Sequence, residues 1–416
     1  MSGEVYITGV GLITALGIGK DENWRGACEG RSGVGIIKRF DASESYTRFG
    51  AEIPESFDTL FAERFPKRVG RHSALFTQLC LASTAFALED GGLDLEDEDR
   101  EEIGVSIGTG AGGLSYWESK FMNSNSYREN LRTLESLGII KHMSNAAASM
   151  TSLYYRLEGP SVCITLSCAS GAQSICQAYD WIRLGRAEMA IAGGAEAVLC
   201  CTAISAFNKL QALSERNSAP EKASRPFDRE RDGFVLGDGA GILILESAEH
   251  LRKRDGRPYA RICGYGATTE AHHMVHPAEN GTKMARTMAR ALRDAAMAPE
   301  AVDYVNAHGT STKINDRCET AAIKQVFGEQ ARELSISSTK SMVGHTIGAA
   351  GAIELAITAL SVANDVVTPT INYEYPDEEC DLDYTPNVAR RRPVNVAMSN
   401  SFGFGGHNCS IVLAKP

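Results

Sequence analysis

Short apolar runs of strand character alternate with helical stretches along the whole chain, and this alternation constrains the fold more than any other feature. Val5–Gly9, Ile103–Ile107, Val162–Leu166 and Met189–Ala192 read as buried strands ending in small residues. His72–Leu88 and Ser174–Leu184 carry helical spacing. The pattern predicts an α/β fold with helices on sheet faces. The 416 residues allow two or three domains. The second half replays the first: "YARICGYG" (259–266) matches the opening strand and its glycine turn, and "VDYVNAHGT" (302–310) matches "EIGVSIGTG" (102–110). "ELSISSTKS" (333–341) matches "SVCITLSCAS", and "VNVAMSNSFGFGG" (394–406) closes the set. Two related halves follow, 1–255 and 256–416.

Bulk properties exclude several functions. A net charge of −10 argues against broad nucleic-acid binding. The most apolar stretch, Ala187–Phe207, is broken by Glu188 and Glu196, so no membrane span is expected. The start of the chain reads as a strand and turn, not a secretory signal. Eleven cysteines with no Cys-x-x-Cys fit neither a disulfide framework nor a zinc site, and point to a reducing cytoplasm. The polar stretch Ser214–Asp232 reads as a surface loop.

Three motifs mislead. Gly104-Val-Ser106-Ile-Gly108 matches a serine-hydrolase elbow, but Ser106 lies inside an apolar run. Gly108, Gly110 and Gly113 match a dinucleotide fingerprint only as a lone motif. His272, His273 and His276 cluster without a carboxylate or cysteine at ligand spacing.

In "SVCITLSCASGAQ" (161–173) a strand runs into a cysteine and then a helix. A helix N-terminus behind Cys168 would lower the thiol pKa and favour a nucleophilic thiolate. The small residues after it leave room for a substrate, although they suit plain packing equally. From this segment alone both readings stand. His308 in "VNAHGTST" and His345 in "STKSMVGHTIGAAGAIE" also occupy strand-end turns, where α/β proteins place catalytic groups. "NSFGFGGHN" (400–408) offers free backbone N–H groups, or a turn lined by two aromatics.

Together with "ASRPFDRERDGFVLGDGAG" (223–241), these motifs make the chain resemble the elongating β-ketoacyl-acyl carrier protein synthases, thiolase-like condensing enzymes, over essentially its whole length. The resemblance implies a duplicated five-layer α-β-α-β-α sandwich, active as a dimer, with no cofactor. It implies that Cys168 holds the acyl group and that the N–H groups of Cys168 and Phe404 form an oxyanion hole. His308 and His345 then stabilise the enolate of a decarboxylated malonyl thioester, Lys340 orders the site, and Phe404 gates it. Thr310, Thr312, Ala111, Phe402 and Gly403 are the implied substrate contacts. Asn306, Glu354, Ser399 and Asn400 lie where relatives hold a structural monovalent cation. Acidic acyl and malonyl carrier proteins are the implied partners, and Lys67, Arg68 and Arg71 are candidates for docking them.

The sequence departs from the family pattern in three places. Val275 removes a hydroxyl near the malonyl carboxylate, Ala111 replaces a bulkier residue at the acyl pocket, and Ser167 precedes the cysteine where alanine is common. "KINDRCETAAIKQVFGE" (313–329) resembles type II polyketide ketosynthases as well as it does fatty-acid enzymes. On that alternative the chain pairs with a chain-length factor rather than with itself. A thiolase is disfavoured because Cys409 is not where thiolases carry their second cysteine.

Overall fold

The computed structural model describes residues 3–121, 127–132 and 134–416. The first half supplies β1 (Val5–Thr14), β2 (Ile103–Gly108), β3 (Ser161–Ile164), β4 (Met189–Glu196) and β5 (Gly239–Ser247). The second supplies β6 (Ala260–Thr269), β7 (Tyr304–Asn306), β8 (Ser335–Ser337), β9 (Val396–Gly403) and β10 (His407–Ala414). They hydrogen-bond in the order β8-β7-β9-β10-β6-β1-β5-β4-β2-β3. Each half therefore has its third, second, fourth, fifth and first strands side by side in that order. The halves join where Val5–Ile7 of β1 pairs antiparallel with Ala260–Ile262 of β6.

Six helices cover the strands: α1 (Leu75–Gly91), α2 (Ala146–Tyr155), α3 (Ser170–Arg183), α4 (Thr282–Asp294), α5 (Lys313–Phe327) and α6 (Ala350–Asn364). The two-residue period of the strands sorts them into layers. On β5, Ile242 and Ile244 face α1 and α2, whereas Leu243 and Leu245 face α3 and α6. On β10, Val412 faces α4 and α5, whereas Ile411 and Leu413 face α3 and α6. The result is an α-β-α-β-α sandwich with α3 and α6 in the middle. Residues 350–362 of α6 are all buried, as a helix apolar on every side requires. The stretch Ile347–Asn364 is apolar and long enough to cross a membrane, yet 89% of it is buried inside this molecule.

The small residues after Cys168 serve that middle layer. A Cβ on Gly171 would lie 3.0 Å from the Ala352 nitrogen, and one on Gly351 would lie 3.0 Å from the Ala172 nitrogen. Glycine and alanine here let α3 and α6 touch along their backbones. They do not open space for a substrate, as one sequence reading had it. Two other expectations are corrected. The strand before Cys168 is not buried: β3 is the sheet's outer strand, with Ser161 exposed and Val162–Ile164 half-buried. The 214–232 stretch is no surface loop throughout, because Ser214, Arg225, Asp228 and Arg231 are buried. Arg225 pairs with Asp228 at 3.0 Å and Arg231 with Asp377 at 2.6 Å, which explains how so polar a segment enters the interior.

A buried cluster ties β5 to the outer layer. Glu246 accepts from His250 Nδ1 at 2.6 Å and Arg254 Nε at 2.7 Å, and His250 Nε2 reaches Glu98 at 2.8 Å. Hydrogen bonding to Glu246, and then to Glu98, lifts the imidazole from 6.5 to about 9. With a folded pKa above the unfolded one, the stabilisation is complete below about 6.5 and fades as pH rises through about 9. His250→Gln is expected to cost about 2 kcal/mol near neutrality and little above about pH 10. Urea midpoints of both proteins across that range are the check.

Candidate active site

Cys168 occupies the turn between β3 and α3, and it is 3% exposed. The turn is tight: Ser167 has φ 51°, in the left-handed region. Ser170 Oγ braces it, accepting from the Leu166 N–H at 2.8 Å and donating to the Ser167 carbonyl at 2.6 Å. Cys168 Sγ lies 3.0 Å from His345 Nε2. The backbone N–H groups of Cys168 and Phe404 are directed at the sulfur.

The expected lowering of the thiol pKa does not occur. Burial pushes Cys168 up from 9.0 to about 12, against the smaller pull of Lys340 and those two amides. That displacement corresponds to roughly 4 kcal/mol, whereas a helix terminus supplies about 1 kcal/mol. The resting group is a thiol, and His345 Nε2 is the base within reach of its proton.

His308 follows β7, and its ring stands 5.4 Å from that of His345 at 84°. Lys340 Nζ donates to the His308 carbonyl at 2.7 Å and lies 3.2 Å from His308 Nδ1. It also pairs with the Glu354 carboxylate. An ammonium has only donors, so Nδ1 accepts and the ring proton is assigned to Nε2. Burial first, and Lys340 second, hold both imidazoles well below their usual pKa. They are neutral near pH 7 and can donate hydrogen bonds without carrying charge.

Glu319 on α5 fixes the His308 backbone, accepting from the N–H groups of His308 and Gly309 at 2.8 Å each and from Asn400 Nδ2 at 3.2 Å. Burial raises Glu319 and Glu354 to about 7. Sequence reading missed Glu319, and it gave Glu354 no role as the partner of Lys340. A glutamate eleven residues beyond a histidine has no diagnostic spacing, and only the packing of α5 behind the β7 turn brings them together.

A cleft of about 240 Å³ leads to the sulfur. Its lining includes Cys168, His308, His345, Thr310, Thr312, Val275, Phe402, Gly403 and Phe404. Thr310 and Thr312 have their hydroxyls 2.9 Å apart. Gly403 passes close to the catalytic turn: a Cβ there would meet the Cys168 nitrogen at 3.1 Å. Phe404 lies near-parallel to Phe207, with ring centroids 6.4 Å apart.

Other expected residues lie elsewhere. Ala111 is outside the cleft, in an apolar cluster with Leu114, Phe207, Ile347 and Phe404. Lys67, Arg68 and Arg71 are exposed on the short helix Lys67–His72. Asn400 is a poor cation ligand because its side chain is committed to Glu319 and to Ser410 Oγ. Asn306 Oδ1 and Glu354 Oε2 do fit a cation, since both are buried without a hydrogen-bond partner among the described residues. Ser399 is buried in β9. Cys409 Sγ lies 3.5 Å from Cys176 Sγ, in the middle layer. His273 Nδ1 accepts the N–H groups of Val275 and His276, in an exposed turn. The sulfur and one nitrogen from each of His308 and His345 lie within 4.8 Å of one another. The Lys340 ammonium against His308 opposes a second cation there.

A thiol and two neutral imidazoles, at strand ends of a duplicated α-β-α-β-α sandwich, define a thiolase-like condensing enzyme. Comparison with known proteins agrees. Residues 2–250 match the family "Beta-ketoacyl synthase, N-terminal domain", and residues 259–374 match "Beta-ketoacyl synthase, C-terminal domain". The chain is 42% identical over 413 residues to 3-oxoacyl-[acyl-carrier-protein] synthase 2 of Synechocystis sp., covering 99% of this chain and 98% of that protein. It is also 42% identical over 412 residues to the enzyme of that name from Coxiella burnetii, with the same two coverages. Among solved structures it resembles a type II polyketide ketosynthase in complex with its acyl-carrier protein and bound to a hexaketide. That match has a TM-score of 0.91 and 33% identity, and covers 100% of both chains. The chain belongs to the β-ketoacyl synthase family and is an acyltransferase.

Proposed function

We propose that the protein elongates fatty acyl chains by decarboxylative Claisen condensation on carrier-protein thioesters. The observation that carries this reading is the convergence of Cys168 Sγ on His345 Nε2 at 3.0 Å, with His308 held by Lys340 alongside. Cys168 gives its proton to His345 and attacks the acyl thioester, and the carrier thiolate departs with that proton. A malonyl thioester then loses CO₂ while the His308 Nε2–H binds the enolate oxygen, joined by His345, whose ring proton moves to Nε2 once the cysteine is acylated. The carbanion attacks the acyl-cysteine, and the N–H groups of Cys168 and Phe404 hold the resulting oxyanion. Collapse expels the cysteine thiolate, which takes up one proton from solvent to restore the resting thiol, and leaves a 3-ketoacyl carrier. Lys340 is a positioning residue, Phe404 the gate, and Thr310, Thr312, Phe402 and Gly403 line the path of the thioester. Val275 makes the malonyl end of that path less polar. Ala111 serves the acyl chain from behind the gate. Asn306 Oδ1 and the unpaired Glu354 Oε2 would hold a monovalent cation, which would supply a fixed positive charge on the side of Glu354 away from Lys340.

Carrier proteins are the partners in this reading, docked through Lys67, Arg68 and Arg71, none of which is ion-paired among the described residues. A second subunit adds to the outer strand β3, whose half-buried Val162, Cys163 and Ile164 sit at an unpaired sheet edge. A homodimer is favoured, and the enzyme works in the cytoplasm. The catalytic division falls at 255/256: the first half brings the nucleophile, and the second brings both histidines and the gating loop. The second reading, a heterodimer with a chain-length factor, rests on the likeness to polyketide ketosynthases and carries less support than the first.

Intact-mass analysis of the protein purified alone, given acyl carriers and malonyl carrier, tests the proposal. Acyl-Cys168 and a 3-ketoacyl product support it, and malonyl consumption without that product sinks it. Failure until a chain-length factor is added selects the second reading. Reversing Lys67 and Arg71 to glutamate is expected to raise carrier KM about tenfold with kcat retained. An unchanged KM removes the docking assignment.

A further inference from the structure

We infer that Glu196 is a positioning residue that sets how strictly the enzyme discriminates acyl-chain length. This rests on the condensing reading above, in which the acyl chain on Cys168 extends past Phe404 into the apolar cluster that includes Ala111 and Ile347.

Glu196 ends β4, is wholly buried, and has no place in the proposed chemistry. Its carboxylate is saturated by donors from two separate loops. Thr109 Oγ1 donates at 3.0 Å, and the Gly110 and Ala111 N–H groups donate at 2.6 and 3.2 Å, all from the turn after β2. The Gly348 N–H donates at 3.0 Å from the turn that joins His345 to α6. A single side chain therefore cross-links the 109–111 turn to the 347–349 turn, with four donors, of which Thr109 and Gly348 are buried.

Both turns carry walls of one apolar cluster. Ala111 and Ile347 belong to it together with Phe404, Phe207 and Leu114. The 347 position is strained as well: Ile347 has φ 43°, a left-handed conformation that a β-branched residue rarely adopts. Such a conformation persists only where its surroundings hold it. The amide immediately after it is the one that Glu196 accepts. Glu196 thus fixes the distance between the Ala111 and Ile347 walls and maintains the strained backbone that aims Ile347 between them. With the clamp loosened, the walls relax apart and chains of different length fit alike.

Glu196→Gln keeps the volume but turns a donor toward amides that are themselves donors. Thr109→Val removes one donor to Glu196, together with the bond that Thr109 Oγ1 accepts from the Gly112 N–H, and leaves the carboxylate in place. His250→Gln serves as a control for general loss of stability, since His250 lies outside the site. The readout is the rate of Cys168 acylation by short-, medium- and long-chain acyl carrier proteins, followed by intact mass. For Glu196→Gln the spread of rates across lengths is expected to narrow at least about fivefold, and for Thr109→Val about twofold, with His250→Gln unchanged. A folded Glu196→Gln that retains the wild-type spread overturns the inference. So does a uniform slowing at every length, or a matching change in His250→Gln. Should Glu196→Gln not fold, Thr109→Val decides by the same criterion. Absence of acyl-Cys168 in the wild-type protein instead overturns the condensing reading itself.

Discussion

Cys168→Ala is expected to lower condensation by at least about 10⁴-fold and to remove every acyl adduct from the intact-mass spectrum. The size follows from the geometry. Cys176, Cys200 and the other buried thiols lie away from the imidazole pair, so no second sulfur takes over. The substitution leaves only a small cavity at a buried position, worth about 1 kcal/mol of stability. Loss of activity will therefore not be loss of fold, and near-unchanged unfolding midpoints will show this. Malonyl decarboxylation should persist in the variant, because His308 and Lys340 keep their contacts and His345, without the thiol, still faces His308. Condensation surviving in Cys168→Ala, or an adduct mapped to another cysteine, refutes the assignment.

Replacing either histidine by alanine should cost decarboxylation about 10²–10³-fold, the usual loss for one donor aimed at a developing oxyanion. The two will not behave alike. His345 Nε2 sits beside the sulfur, so His345→Ala slows acylation too. His308 contacts Lys340 and not the thiol, so His308→Ala leaves acylation near wild type. The double variant should lose less than the product of the single losses, since both donors serve one oxygen. The pH dependence has a definite sign. Both imidazoles are held well below 6.5, so their neutral forms persist as pH falls through that value. The imidazoles should thus contribute no rate limb near pH 6.5, and a slope between about pH 6 and 8 is set by Glu319 and Glu354, which titrate near 7. A rate limb centred near pH 6.5 contradicts neutral donors.

Much of this site was legible before any coordinates. Cys168, His308, His345 and the Phe404 loop are each announced by a strand that breaks into small residues, a local pattern. The likeness of the strand-and-turn segments in the two halves was legible for the same reason. The thiol pKa was misread because the helix terminus is local whereas burial is not. The strand before Cys168 was misread as buried because apolar alternation records one covered face but not whether a neighbouring strand exists. Glu319 left no signal, since a glutamate in an amphipathic helix looks alike whether it meets water or buried amides, and Glu196 showed only as a charge inside an apolar run, which says nothing of what it binds.

The amino-acid order by itself determined the alternation of strands and helices, a suggestion of two related halves and the reactive residue types, because these depend on side-chain period and backbone propensity within a few residues. Only the tertiary structure decided which groups touch. It packed Gly171 and Ala172 against α6 instead of leaving room beside the thiol. It set Lys340 on His308 Nδ1 and so chose the tautomer, and it closed Glu196 over two distant turns. Those outcomes turn on desolvation and on hydrogen bonds between residues far apart in the chain, and both exist only once the layers close.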